Sequence, residues 1–529
     1  MLCPHEVGRL PRQPRCRQIS AWIFRMVILG AVLGATESVQ ADVVIWRRPQ
    51  FALPNRQYTA TYPVDQLALL AVGATEEARP KSAWWFRSMP PMPVDGLSRA
   101  EVAYAAAVYL EEAGSPRCVD LYYLAVWNCW DHVPPDPRTA PKSSQRAWNL
   151  YHSAVARLLL QANRHKRFDP VHGIQVGTPM GQVVISVARH GLSWSPEHFD
   201  RFELVGEYAA PPLQTRYALP GMGVPVVVIH EGKSQTGFLA HDLPFGATVL
   251  LRPHQDLPQT ELESEASASP IIGAASLEFY DPRTQTHVAA PIGAVPMARD
   301  MSASLAWALK QSHHLLDEPE LNRVHGNRPP RARLSLTEPH RHGRIPVVFV
   351  HGLFSNRYTW VNVANELQVD PEISKHFEYW VFEYDTSRNF LETAAMLRRK
   401  LYEVTTELDP NGYDPGLSRI VLIGHSMGGL IGKLQVTSSG SELWRVASRA
   451  PVQTLQMDEA MRQKLEEAFF FEPVSLVRRV VFVGTPHRGS PYAGNLASLW
   501  INATTHQRDE RRAYHALIRE NPNRFTDAF

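Results

Sequence analysis

The C-terminal third of the chain predicts an α/β domain built on a parallel sheet. Three stretches carry that prediction. Ile345-Pro346-Val347-Val348-Phe349-Val350 runs into His351-Gly352-Leu353-Phe354. Ile420-Val421-Leu422-Ile423 runs into Gly424-His425-Ser426-Met427-Gly428, and Val480-Val481-Phe482-Val483 into Gly484-Thr485-Pro486-His487-Arg488-Gly489-Ser490. Each is a short apolar run rich in β-branched residues that stops at a glycine turn, with helical patterns between. Such strands sit buried in a parallel sheet and present their turns at one edge, where ligands bind. Between them, 379–384 reads as a further strand, with 360–367 and 390–408 as helices.

The rest of the chain divides by composition. A length of 529 residues suits about three domains. With 44% hydrophobic and 20% charged residues and a net charge of +2, the composition is that of a globular protein. No global charge argues for nucleic acid. Residues 1–41 read as a signal peptide or N-terminal anchor. Arg9, Arg12, Arg15, Arg17 and Arg25 precede a ten-residue apolar run at 26–35, and Val39-Gln40-Ala41 has the small residues of a cleavage site. Residues 42–95 are Pro-rich and irregular. A helical domain is expected over 96–167, opened by a capping box at Ser98-x-x-Glu101 and closed, in its first helix, by Gly114. Its aromatic stripe suits either a packing core or a ligand groove. Cys118 and Cys129 share one predicted helix, roughly 16 Å apart, and read as buried thiols.

Residues 168–314 show short strand-like runs separated by Gly, Pro and Asp, a β-rich accessory domain expected to be mainly antiparallel. Residues 315–344 form a basic linker, with Arg323, Arg328, Arg331, Arg333, Arg341 and Arg344. It reads as solvated, or as a peripheral contact with an anionic lipid surface. Residues 345–529 are the α/β domain. No metal or cofactor is called for: His313 and His314 lack further ligands at metal spacing, and no nucleotide-binding loop is visible.

Chemistry concentrates at Gly424-His425-Ser426-Met427-Gly428. A bare G-x-S-x-G arises by chance in about one chain in six of this length, so its context decides. Here it follows a strand and opens a helix. A serine on that turn lifts its hydroxyl clear of the sheet, and the glycines allow the tight backbone.

Taken together, Val-His-Gly-Leu, Gly-His-Ser-Met-Gly-Gly and Gly-Thr-Pro-His-Arg-Gly-Ser resemble the α/β-hydrolase fold, and within it the bacterial serine lipases and esterases, over about 345–500. The resemblance implies Ser426 as nucleophile and the backbone N–H groups of Leu353 and Met427 as oxyanion hole. His351, Gly352, Gly424, His425 and Gly428 support the motifs. Carboxylic esters or lipids are the implied substrates. An acyltransferase using the same serine, or a non-catalytic envelope scaffold carrying an incomplete hydrolase domain, are the other readings.

In this fold the acid and the histidine follow two further strands, and none is predicted after Val483. The expectation is that the sheet is C-terminally incomplete here and that both partners lie beyond Phe529. The 529-residue chain alone is then expected to be poorly soluble and weakly active. His506, or Asp509 and His515 on one predicted helix, are the downstream alternatives; Asp385 is a shifted acid, and His487 a turn residue. Phe354 and Trp360 could meet an acyl chain, and Phe469-Phe470-Phe471 could belong to a lid. Packing explains each equally well. Arg488 reads as a surface or turn residue.

Overall fold

The computed structural model describes residues 95–134, 140–178, 181–205, 213–231, 243–254, 275–290, 293–311, 332–353, 355, 357–386, 388–489 and 508–526. The signal-like segment, nearly all of 42–95, the linker to 331, His313, His314, Phe354, His506 and anything past Phe529 lie outside these residues. No helix among those described is long and apolar enough to cross a membrane.

Among the described residues three helices come first: α1 (Gly96–Glu112), α2 (Cys118–Cys129) and α3 (Lys142–Arg164). The cap of α1 is Asp95, three residues before the expected Ser98. Its carboxylate accepts hydrogen bonds from Ser98 N at 2.8 Å and Ser98 Oγ at 2.7 Å, which satisfies an orphan donor of the first turn. Buried residues lie on every side of α2, because it packs against both α1 and α3. Cys118 and Cys129 are buried free thiols, and burial pushes the Cys118 thiol up to about 11.

Among the described residues eleven strands follow: β1 (Phe168–Asp169), β2 (Gly173–Thr178), β3 (Gly181–His190), β4 (Arg201–Leu204), β5 (Ala218–Leu219), β6 (Val224–His230), β7 (Leu243–Pro253), β8 (Ala275–Tyr280), β9 (His287–Ala290), β10 (Gly293–Pro296) and β11 (Arg299–Asp300), with helix α4 (Ala303–Gln311). Seven form one sheet in the order β1-β2-β3-β8-β7-β6-β4. Every pair is antiparallel except β3–β8. Strand β6 is buried at every position. Val224, Val226 and Val228 face the core shared with the helices, while Val227 and Ile229 face α4 and Trp307. A strand covered on both faces reads as a continuous apolar run. The sequence pattern separates 96–167 from 168–314, yet helices and sheet share one hydrophobic core. Polar bonds join them: Tyr151 Oη donates to Leu251 O at 2.9 Å, and Gly223 N donates to His152 Nε2 at 3.0 Å. The aromatic stripe is therefore core.

The second sheet comprises β12 (Arg333–Leu336), β13 (Ile345–Val350), β14 (Phe377–Glu383), β15 (Ile420–His425) and β16 (Val477–Val483), ordered β12-β14-β13-β15-β16. All pairs are parallel except β12–β14. Its helices are α5 (Val361–Val369), α6 (Pro371–His376), α7 (Phe390–Leu408), α8 (Met427–Lys433), α9 (Glu442–Ala447), α10 (Glu459–Phe469) and α11 (Arg508–Glu520). Val348 and Val350 pack under α7 and α8; Val347 and Phe349 face Trp360 and the α5 side. This is an α/β-hydrolase type of sheet, preceded by the helical and β-rich modules. Strand β16 forms one edge of it among the described residues, with Arg478, Arg479 and Phe482 exposed.

The stretch read as linker departs from expectation. Residues 333–336 form strand β12, and Arg341 and Arg344 turn inward. Arg283 donates to Asp281 at 3.0 Å and to Glu338 at 2.9 Å, while Arg344 lies 3.6 Å from Glu338 and Arg341 3.6 Å from Asp281. Burial opposes charge on Asp281 and Glu338, but the arginines hold both carboxyls below the usual carboxylate range. Arg341 and Arg344 thus stand in ion-pair range of buried carboxylates.

Beside them His340 bridges Glu378 at 2.8 Å and Asp414 at 2.9 Å. Burial disfavours its protonation, but the two carboxylates together outweigh this and raise its pKa. Its charged form therefore stabilises the fold fully below the ordinary histidine value of about 6.5, and the contribution fades as pH rises through the raised value. His340→Gln is expected to cost about 1–3 kcal/mol at pH 6. Thermal unfolding should show a smaller gap from wild type at pH 9.

Candidate active site

Strands β13, β14, β15 and β16 are parallel, so their carboxyl ends meet at one edge. Gly352, His425, Ser426 and Gly484 all stand there. Ser426 follows β15 and is the N-cap of α8, with φ 52° and ψ −119°. A non-glycine residue held at such angles costs about 1–3 kcal/mol. Its amide donates to the Val483 carbonyl at 2.9 Å, and its carbonyl accepts from Gly429 N at 3.1 Å. The serine is thereby tied to β16 and to the helix it opens.

The glycines make this turn sterically possible. A Cβ on Gly424 would stand 2.4 Å from the Gly428 carbonyl oxygen. One on Gly428 would stand 2.3 Å from Val350 O and 2.4 Å from His351 O. Helix α8 thus starts directly on the end of β13. A Cβ on Gly352 would reach within 3.0 Å of both Ser426 Cβ and His425 Nδ1. The backbone after β13 consequently lies against the serine. Met427 is the first residue of α8, and Leu353 sits in the turn after Gly352.

His351 is buried, with Nδ1 3.1 Å from Gly352 O. Its ring stacks on Tyr384 at 4.3 Å and 9°. Burial pushes its pKa down to about 4, so the imidazole is neutral. Tyr384 Oη donates to the His351 carbonyl at 2.6 Å. This anchor escapes sequence reading, since it joins the ends of two strands that are distant in the chain. His425 Nδ1 and Thr485 Oγ1 are buried with no hydrogen-bond partner among the described residues.

The weaker candidates separate in the structure. Asp385 follows β14, which lies across β13 from β15. His487 is an exposed turn residue with its ring 4.6 Å from Phe482, and Arg488 is exposed. Asp509 and His515 do share one helix, α11, where His515 is exposed. Helix α11 inserts Leu517 into a separate apolar cluster with Trp444 and Phe469. Phe469 and Phe470 pack against Trp444, and Phe471 lies under Arg398 at 4.2 Å. These contacts account for the triple phenylalanine as packing. Trp360 is likewise core, stacked on Phe349 at 5.2 Å. Among the described residues no group of His, Cys, Asp and Glu could hold a metal ion.

A Cβ on Gly429 would stand 1.9 Å from Thr485 Oγ1. Gly429→Ala is expected to destabilise the protein by about 1–3 kcal/mol. Thr485→Ala in the same chain should recover part of that loss. A double-mutant cycle in urea measures it, and strict additivity would contradict the contact.

Comparison with known proteins gives partial likenesses. A model of the PGAP1-like alpha/beta domain matches residues 341–449. None of the curated proteins matches the chain. Among solved structures, the Bacillus licheniformis lipase BlEst2 in its mature form is 20% identical, with a TM-score of 0.19, covering 33% of this chain and 54% of the lipase. Its propeptide form is 19% identical with the same TM-score, and 31% of it is covered. The chain thus spans about half the length of the mature lipase it matches. At that TM-score the superposition carries no argument. The family match and the sheet order stand on their own, and by them the C-terminal module resembles the α/β-hydrolase superfamily.

Proposed function

We propose that the protein is a serine hydrolase that cleaves carboxylic esters, lipid esters among them, through an acyl-enzyme on Ser426. The observation that carries this is the strained turn at Ser426, whose Gly428 packs on the Val350 and His351 carbonyls and against which Gly352 lies. Strain of this kind is retained where the surroundings hold it in place, and here it lifts one hydroxyl over the sheet edge. The N–H groups of Met427 and Leu353 are the donors assigned to the developing oxyanion. In the reaction the Ser426 oxygen bonds to the ester carbonyl carbon, and a base takes the hydroxyl proton. The tetrahedral intermediate expels the alcohol, which receives that proton, and water then releases the acid.

The complete gene product is expected to label with a fluorophosphonate probe and to hydrolyse p-nitrophenyl esters. Ser426→Ala should abolish labelling and lower turnover by about 10³-fold or more. Labelling that persists in this variant would sink the assignment. The same proposal places the protein in the cell envelope or outside the cell, because of the basic and then apolar N-terminus. Sequencing of the mature N-terminus should begin at Asp42; an intact Met1 would remove the cleavage.

A further inference from the structure

Helix α5 starts eight residues after Leu353, behind the 3-10 turn Arg357–Trp360, whose Trp360 packs on Phe349 of β13. It has nine residues, Val361–Val369, and helices shorter than about 12 residues are marginal without tertiary contacts. On one side Val363, Ala364 and Leu367 pack toward the sheet. The polar residues on its other side are bonded to the β-rich module, which lies far upstream in the chain.

Asn365 is at the centre of that contact and is 1% exposed. Its Oδ1 accepts from Ser302 Oγ at 2.8 Å, and its Nδ2 donates to Thr215 O at 2.9 Å. One turn to either side, Gln214 N donates to Asn362 Oδ1 at 2.9 Å, and Gln368 Nε2 donates to Met301 O at 2.9 Å. Tyr217 Oη donates to the Glu366 carboxylate. The accessory side of this clasp is itself held firmly. Arg216 pairs with the buried Asp300 at 2.7 Å, Tyr217 N donates to Ser302 Oγ at 2.9 Å, and β5 pairs with β11. Five bonds therefore seat one short helix on a braced partner.

We infer that this clasp positions the backbone of Gly352 and Leu353 over Ser426, with Asn365 as the central positioning residue. The β-rich module then serves as a structural part of the oxyanion site, and Asn365 touches neither substrate nor reacting atoms. The role rests on the proposed hydrolase reading, because it matters to chemistry only if Leu353 N–H meets an oxyanion. The physical reason is geometric: a donor displaced by about 1 Å can cost 10²-fold in rate, while substrate binding made elsewhere is kept.

The test uses the full-length protein and three variants: Asn365→Ala, the milder pair Tyr217→Phe with Gln368→Leu, and Ser426→Ala as control. Steady-state hydrolysis of p-nitrophenyl butyrate is measured with backbone hydrogen exchange. Asn365→Ala should lower kcat about ten- to a hundredfold with KM within twofold. Exchange in the peptide holding Gly352 and Leu353 should quicken at least about tenfold, while the peptide 420–428 stays unchanged. The paired variant should move both readouts in the same direction by a smaller factor. Unchanged exchange at Gly352 and Leu353 in the folded variants overturns the inference, and so does faster exchange with kcat within twofold of wild type. If the wild-type protein neither labels nor turns over, the hydrolase reading falls, and the inference that depends on it falls as catalytic positioning. Exchange then still decides whether the clasp holds the turn.

Discussion

The backbone at Ser426 is the constraint on which the C-terminal module depends. A serine with positive φ between a strand and a helix is unfavourable by itself. It persists because α8 begins on the end of β13, at distances that leave no room for a Cβ at Gly424 or Gly428. The same contacts bring Gly352 beside the serine. Ser426 and the backbone of Gly352 are thus arranged by one packing event, and the sheet order β14-β13-β15-β16 supplies it. Each strand contributes the turn at its carboxyl end.

Polar contacts join the β-rich module to this sheet. The Arg283–Glu338 cluster lies at one place and the Asn365 clasp at another. Buried ion pairs repay their desolvation only when well bonded, and their best use is to select one arrangement over others. Arg283 meets both Asp281 from the β-rich module and Glu338 from the turn after β12. That geometry fits one register of the two modules. Apolar contact is tolerant of sliding, whereas bonds at 2.8–2.9 Å from Asn365 to Ser302 and Thr215 are not.

Much of the C-terminal module is legible in the sequence because its signals are local. The run from Ile420 to Ile423 is apolar since parallel strands are covered on both faces. The glycines around Ser426 are there because the turn excludes side chains, so motif and geometry coincide. The helix predicted over 390–408 is found at those residues, its apolar stripe lying on the sheet. The cap of α1 at Asp95 was less legible, because Asp95 and Ser98 are both good cap residues and their own hydrogen bonds decide between them.

Long-range pairing is where local reasoning ends. Residues 333–336 look like part of a basic linker because four residues carry little pattern; pairing with β14 makes them a strand. Arg341 and Arg344 look solvated until Asp281 and Glu338 are brought to them. Nothing near Asn365 in the chain announces Thr215 or Ser302. The sequence by itself determined the elbow, its glycines and the strands that carry them, since these rest on contacts between near neighbours and on backbone sterics. Only the tertiary structure decided that the β-rich module and the hydrolase sheet are bonded through buried charges and one asparagine. Those partners stand tens to hundreds of residues apart, and only the folded packing brings them within hydrogen-bond distance.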